Sequence, residues 1–138
     1  MDDEKINWQD KVTDYLPNFK MQDNWVTAEF IIEDLLTHKS GLVNSAGDSM
    51  LWPEPSGFTR TEIIGNLRHL TPEYSFRSKY AYSNLMYIAA GEIVATVSGM
   101  SWEDFVEKRI FKPLDMNCFA GNIPKDKMNN IAPPRRTK

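Results

Sequence analysis

The stretch SNLMYIAAGEIVATV, residues 83–97, carries the strongest helical signal in the chain. Its apolar residues recur at helical spacing along two adjacent stripes, Leu85, Ile88, Ala89, Ile93 and Val97 on one, and Met86, Ala90 and Val94 on the other. Such a broad apolar surface predicts a helix that packs on more than one side. Gly99 follows the stretch and favours a stop there, because glycine readily takes the left-handed conformation in which many helices end.

A second helix is expected directly after this glycine. Ser101 is a suitable N-cap, and Glu103 and Asp104 place negative charge in the first turn, where the helix dipole favours it. One face of this helix is apolar, with Trp102, Phe105, Val106 and Ile110. Pro113 is expected to end it, because proline cannot continue the hydrogen-bond ladder.

Three earlier segments also predict helices. Residues 59–62 (TRTE) fit a capping box that begins one of them. Thr27 is the expected N-cap of another, running to about His38, and a short helix is expected over residues 10–16. Residues 39–57 and 70–82 have loop composition, and no alternating run is long enough to predict a sheet. The chain is therefore predicted to be mostly α.

Composition excludes several classes of function. The 138 residues are 41% hydrophobic and 25% charged, which is typical of a globular domain. Sixteen basic and nineteen acidic residues give a net charge of −3, which argues against nucleic-acid binding. Cys118 is the sole cysteine, so no internal disulfide forms, and with only His38 and His69 beside it no His/Cys metal cluster is expected. We expect neither a metal nor a cofactor.

The termini and hydropathy set expectations for organisation and location. The start is acidic with no apolar segment after it, and no apolar run reaches membrane-spanning length, so neither a signal peptide nor a membrane segment is predicted. The default location is cytoplasmic, or periplasmic or secreted if a leader was removed. Residues 1–121 are expected to form the domain, and residues 122–138, with three prolines and five basic residues, a poorly ordered tail.

Four segments, taken in order, resemble a known family. They are DLLTHKSGL (residues 34–42), FRSKYAYSNLMY (76–87), VSGMSWEDFV (97–106) and IFKPLDM (110–116). Their order and spacing resemble the serine β-lactamase-like family, the serine hydrolases related to class C β-lactamases and penicillin-binding proteins. The resemblance covers roughly residues 7 to 119. It implies the mainly helical region of a two-part fold whose other part is α/β.

The resemblance implies a definite chemistry. Members of the family use a nucleophilic serine and a lysine in a Ser-x-x-Lys motif, a tyrosine in a Tyr-x-Asn motif, and a Lys-Thr-Gly-like strand. Tyr82 matches the motif tyrosine, the general base, and Asn84 matches the motif asparagine, which binds substrate. A tyrosine near a lysine ammonium can exchange a proton with serine and leaving group. An asparagine amide donates and accepts at once, which suits a substrate amide.

The chain also departs from the family pattern. It contains no Ser-x-x-Lys, and no Lys-Thr-Gly follows Tyr82. Residues 39–41 (KSG) mimic the last motif in composition but lie in the wrong place, before the tyrosine. Asp115 stands where the family often has glycine. We therefore expect a fragment with the α/β part absent, inactive alone, from relatives that cleave amides or esters through an acyl-serine.

An alternative from another class remains open, namely a non-catalytic helical binding or self-association module derived by truncation. Loss of the α/β part would expose apolar surface around residues 42–52 and 80–87, so a homodimer with Tyr82 near the contact is expected. His38 is interpreted as a scaffold residue at a helix C-terminus. Cys118 is expected to be a buried or semi-exposed apolar residue. Of the tryptophans, Trp8, Trp25 and Trp102 are expected in the core, and Trp52 either at a cleft or buried.

Overall fold

The computed structural model describes residues 5–53 and 56–121. Its helices are α1 (Val12–Tyr15), α2 (Asn24–Glu29), α3 (Ile32–Thr37), α4 (Arg60–Asn66), α5 (Asn84–Ser98) and α6 (Trp102–Val106). Short 3₁₀ turns cover Asp48–Met50 and Leu67–His69, and a π-helical turn covers Glu107–Phe111. Within these residues no strand forms beyond one isolated antiparallel bridge, between Lys11 and Ile31. The mostly α prediction is confirmed for this part of the chain.

Helix α5 is the central element. It contacts α1, α3, α4 and α6, as its two apolar stripes predict. Leu85, Met86, Ala89 and Ile93 are buried along it. The helix ends at Gly99, whose φ of 68° is the left-handed stop expected from the sequence. The core around α5 is completed by Val12, Phe19, Met21, Phe30, Ile32, Leu35, Leu42, Met50, Ile63, Ile64 and Leu67.

The single helix expected from Thr27 to about His38 is wrong, because the chain forms α2 and α3 with a break between them. Asp23 is the N-cap of α2, and Thr27 lies inside the helix with its hydroxyl donating to the Asp23 carbonyl at 2.8 Å. At the break, the Phe30 carbonyl accepts from the Val12 amide at 3.0 Å. Pairing with residues 10–12 therefore draws the chain out of helical conformation, a tertiary effect that overrides local propensity.

The starts of α4 and α6 follow their sequence signals, whereas α6 ends at Val106 and a π-helical turn continues to Phe111 before Pro113. The capping box of α4 is present, with the Glu62 amide donating to Thr59 Oγ1 at 3.2 Å and the Thr59 amide donating to the Glu62 carboxylate at 2.8 Å. Ser101 caps α6 by accepting from the Asp104 amide at 3.0 Å. Asp115 has a φ of 51°, so a residue that tolerates positive φ occupies the position where the family often has glycine.

The expectation that three tryptophans belong to the core is wrong. Trp25 is 64% exposed and Trp8 48% exposed, and Trp102 is 38% exposed and lies over Gly91 of α5. Trp52 is also exposed, as is Cys118. The aromatic residues that do fill the core are Phe19 and Phe30, which pack edge to face with centroids 5.0 Å apart. Composition alone could not separate these phenylalanines from the tryptophans.

Two further expectations from the sequence concern the C-terminal tail and membrane-spanning segments. The tail at 122–138 lies outside the described residues, and the domain boundary at 121 stays a prediction. Over the described ranges, no single helix has the length and apolar character of a membrane span. One bent pair, Asn84–Ser98 with Trp102–Phe111 at 73°, meets those criteria by length and composition only.

An ion pair ties the long loop before α5 to α3. Arg77 Nε donates to Asp34 Oδ1 at 2.9 Å and Arg77 Nη2 to Asp34 Oδ2 at 2.7 Å, while Nη2 also reaches the Glu29 carbonyl at 2.9 Å. Asp34 is 4% exposed and accepts in addition from the Ile31 amide at 3.0 Å. This bidentate pair fixes the loop across the break between α2 and α3.

We predict that Asp34→Asn destabilises the protein by about 2 kcal/mol, because it removes the charge and turns an amide donor toward the Arg77 donors. Thermal and urea unfolding followed by circular dichroism measure the loss. Glu33→Gln is the matched control, since the adjacent carboxylate is exposed. Equal stability of the two variants would show that the buried pair contributes nothing.

Candidate functional site

The Tyr82-Ser83-Asn84 segment lies where the loop of residues 70–83 enters α5. Ser83 occupies the N-cap position with φ −141°, and Asn84 is the first helical residue. The Tyr82 hydroxyl donates to Asn84 Oδ1 at 3.0 Å. The structure therefore brings together the two residues predicted from the sequence as site residues. Tyr82 is 46% exposed, so its hydroxyl is accessible from solvent.

Asp48 fixes the orientation of the Asn84 amide. Asn84 Nδ2 donates to Asp48 Oδ2 at 3.1 Å. A carboxylate only accepts hydrogen bonds, so the amide nitrogen must face Asp48 and the amide oxygen must face the Tyr82 hydroxyl. Asp48 Oδ1 is buried and has no hydrogen-bond partner within the described residues. Sequence reasoning missed Asp48, although the glycine before it, with φ 80°, marks a tight turn.

The backbone of Tyr82 is held from both sides by the loop that follows α3. The Tyr82 amide donates to Asn44 Oδ1 at 2.7 Å, and the Tyr82 carbonyl accepts from the Ser45 amide at 2.9 Å. The main chain is thus fixed while the phenol remains half-exposed. Asn44 was also missed from the sequence, since its position in a loop gave no signal of this contact.

His38 lies beneath the same segment. It is the C-cap of α3 in left-handed conformation, with φ 55°, and is 6% exposed. Its carbonyl accepts from the Ala81 amide at 2.9 Å and its Nδ1 from the Ser83 amide at 3.2 Å. The ring contacts three tyrosines, with centroid distances of 5.5 Å to Tyr80, 4.8 Å to Tyr82 and 5.1 Å to Tyr87.

Burial lowers the pKa of His38 below its ordinary value, because desolvation disfavours the charged imidazole. The predicted position at a helix C-terminus is confirmed. A favourable interaction with the helix dipole would require the charged ring, and burial opposes that form.

A cavity of about 340 Å³ adjoins Asn84 along α5. It is lined by Arg60, Asn84, Tyr87, Ile88, Gly91, Glu92 and Trp102. Arg60 bridges Glu92, at 3.4 Å, and Glu103. Hydrogen bonding to Glu103 raises the pKa of Arg60, and the same contact lowers the pKa of Glu103. The cavity thus has one charged wall and one apolar wall beside Asn84.

Among the described residues there is no metal cluster, and the serine next to Tyr82 in the chain, Ser83, is not accessible. No group of three or more His, Cys, Asp or Glu side chains in the described ranges could bind a metal ion. Ser83 is fully buried, and its hydroxyl has no hydrogen-bond partner among these residues. In the KSG segment, Gly41 turns with φ 89°, and a side chain there would collide with the Tyr74 carbonyl. Residues 39–41 therefore form a tight turn and not a strand.

Comparison with known proteins identifies the class. The Beta-lactamase family model matches residues 1–135, and the chain belongs to this family. Penicillin-binding protein 4* of Bacillus subtilis is 32% identical over 115 residues, which are 81% of this chain and 24% of that protein. Unguisins hydrolase of Aspergillus campestris is 29% identical over 118 residues, 82% of this chain and 21% of its own length.

Solved structures agree. The octameric penicillin-binding protein homologue from Pyrococcus abyssi superposes with a TM-score of 0.70 at 26% identity, over 94% of this chain and 30% of that chain. A class C beta-lactamase mutant superposes with a TM-score of 0.68 at 25% identity, over 93% and 33%. A D-amino acid amidase from Ochrobactrum anthropi gives 0.69 at 26%, over 91% and 36%. The chain therefore spans between a fifth and about a third of the lengths of these relatives.

We predict that Asp48→Ala frees the Asn84 side-chain amide. The variant loses one hydrogen bond and also a buried, partnerless carboxylate oxygen, so global stability changes by less than about 1 kcal/mol. The Asn84 NH₂ proton that faces Asp48 should move upfield in ¹H–¹⁵N spectra. Asp14→Ala, at an exposed carboxylate, is the control. An unchanged Asn84 amide signal would show that Asp48 does not orient it.

Proposed function

We propose that this chain supplies the helical part of a serine hydrolase that cleaves amide or ester bonds, with Tyr82 as general base and Asn84 as a substrate-binding residue. The nucleophile and its lysine would come from a Ser-x-x-Lys motif outside this sequence. On this proposal the chain is a fragment of the larger β-lactamase-like fold and is inactive alone.

The observation that carries the proposal is the hydrogen-bonded pair of the half-exposed Tyr82 phenol and the Asn84 amide. The backbone of Tyr82 is fixed by Asn44, and the Asn84 amide is oriented by Asp48. A proton carrier must be held firmly and still reach its substrate, and this phenol meets both requirements. Membership in the Beta-lactamase family supports the same assignment.

In the proposed reaction the serine hydroxyl oxygen attacks the carbonyl carbon of the substrate, and its proton passes to the Tyr82 oxygen. The bond from that carbon to nitrogen or oxygen then breaks, and the leaving atom takes the proton from Tyr82. Water hydrolyses the acyl-serine by the same proton exchange in reverse order. A lysine ammonium near Tyr82 would favour the phenolate that begins this cycle.

The substrate class stays broad. Relatives are called a putative D-alanyl-D-alanine carboxypeptidase in Escherichia coli, at 28% identity, and a D-amino acid amidase in Ochrobactrum anthropi. Both names describe hydrolysis of a bond from a carbonyl carbon to nitrogen. β-Lactams, peptidoglycan peptides, D-amino-acid peptides and simple esters all fit the chemistry of a tyrosine-assisted acyl transfer.

We predict that a chimera restores the site. Residues 5–121 would replace the corresponding segment of the Bacillus subtilis relative, and acylation would be followed with a fluorescent penicillin. Tyr82→Phe in the chimera should slow acylation by roughly 10²- to 10⁴-fold, the usual contribution of a general acid–base group.

Tyr80→Phe is the matched control, because it removes the hydroxyl of a neighbouring exposed tyrosine and should change the rate by less than about twofold. The 138-residue chain alone should show no covalent adduct with a fluorophosphonate or a fluorescent penicillin. Equal labelling of the chimera and its Tyr82→Phe variant would overturn the assignment of Tyr82.

Self-association is the second candidate function, and the exposed aromatic cluster around His38 favours it. Tyr80 is 61% exposed and Tyr87 52%, and with Tyr82 they form a continuous patch over one ring. Exposed apolar patches commonly mark interaction surfaces, and a twofold pair is the commonest arrangement of identical chains. We propose a homodimer with Tyr82 near the contact.

Light scattering coupled to size exclusion is expected to give twice the chain mass of 15.9 kDa at high protein concentration. Tyr80→Asp should shift the equilibrium toward monomer by placing a charge within the contact. Trp25→Asp, at an exposed aromatic outside the cluster, should not. A mass of one chain at every concentration would reject the homodimer.

A further inference from the structure

We propose that His38, as a neutral imidazole, is the positioning residue that sets the Tyr82-Ser83-Asn84 junction, and that its protonation releases this junction. The functional meaning rests on the role proposed above for Tyr82. The contacts themselves do not, because they join His38 to the backbone amides of Ala81 and Ser83 and do not involve the Tyr82 hydroxyl.

His38 accepts two separate hydrogen bonds from the backbone of this segment. Its carbonyl accepts from the Ala81 amide at 2.9 Å, and its Nδ1 accepts from the Ser83 amide at 3.2 Å. Ala81 and Ser83 flank Tyr82, and both are buried. His38, at the end of α3, therefore fixes the backbone position of the residue before Tyr82 and of the residue after it.

The two hydrogen bonds respond differently to a fall in pH. A carbonyl oxygen accepts at any pH, whereas Nδ1 accepts only while it carries no proton. In the imidazolium form both ring nitrogens are donors, so the Ser83 amide would face an N–H and lose its partner. Ser83 is fully buried, and a buried amide without a partner is costly. Protonation of His38 thus breaks the hydrogen bond from the Ser83 amide and leaves the hydrogen bond from the Ala81 amide intact.

The surroundings of the ring match a neutral imidazole. The titratable groups that face it are the phenols of Tyr80 and Tyr82, from the segment before α5, and of Tyr87, from α5 itself. Lys39 follows on its own segment and is exposed. Burial lowers the pKa of His38, in agreement with the acceptor role of Nδ1.

The sign of the pH effect follows from this direction. Because the pKa of His38 is lower in the folded than in the unfolded chain, the unfolded chain binds more protons between the two values. The stabilisation from neutral His38 is full above about pH 6.5 and is lost as the pH falls below that value toward the folded pKa.

Two substitutions separate the ring acceptor from the backbone conformation. His38→Asn keeps a side-chain acceptor that does not titrate, and asparagine tolerates the φ of 55°. His38→Gly also accepts this φ but provides no acceptor. His69→Gln controls for the removal of an exposed histidine.

The measurement is amide hydrogen exchange of the 138-residue chain by NMR, from about pH 7.5 to about pH 4.5, with protection factors corrected for intrinsic exchange. In the wild type, Ser83 protection should fall by roughly tenfold with the midpoint of the His38 imidazole titration, read from its ¹⁵N shifts. In His38→Asn it should stay high at every pH, and in His38→Gly it should be low throughout. Ala81 protection should hold in all variants.

The outcomes are distinct. Constant Ser83 protection across the His38 titration, or a loss shared equally by Ala81, would overturn the proposal, because either result shows that the ring does not hold Ser83 separately. Should His38→Gly fail to fold, the wild-type titration and the His38→Asn variant decide the matter. Because no hydrolysis is measured, a negative result leaves the proposed catalytic role of Tyr82 to the chimera experiment.

Discussion

The packing of α5 against α3 is the contact on which the site depends. Helix α5 buries Leu85 and Met86 in its first turn, directly after Asn84, and this fixes the position at which the helix begins. The end of α3 brings His38 under the same turn. If either helix moved along its axis, the spacing between the Ser83 amide and the imidazole would change. The hydrophobic core therefore sets the polar geometry around Tyr82.

The main chain around Tyr82 is held by more hydrogen bonds than the Tyr82 side chain. Hydrogen bonds with Asn44, Ser45 and His38 hold the backbone on both sides of Tyr82. The Tyr82 hydroxyl donates a hydrogen bond to Asn84 Oδ1, and the phenol remains half-exposed. A fixed backbone limits the loss of conformational entropy when the phenol engages another group. This combination suits both roles proposed for Tyr82, as a general base and as part of a homodimer contact.

Much of this architecture follows from sequence because its signals are local. The stripes of α5, the stop at Gly99 and the capping box at Thr59 depend on residues within one or two turns, and all three are present. Tyr82 and Asn84 were predicted as site residues from a short motif in a family context. Asp48 and His38 act across the fold, with sequence separations of 36 and 45 residues to their partners, so spacing could not reveal their contacts. The break between α2 and α3 has the same origin, since residues 10–12 cause it.

The turn at residues 38–41 has a further consequence for the tolerance of the chain to insertions. The carbonyls of His38, Lys39 and Gly41 all accept from amides of the loop before α5, at 2.9 to 3.0 Å. These hydrogen bonds pair individual residues of the turn with individual residues of that loop and so fix the position of the loop. One added residue there would shift the register of Tyr82 relative to α3. Near Ser56 and Phe58 the hydrogen bonds are local, two residues apart, so a peptide tag or a longer loop fits there without displacing the site.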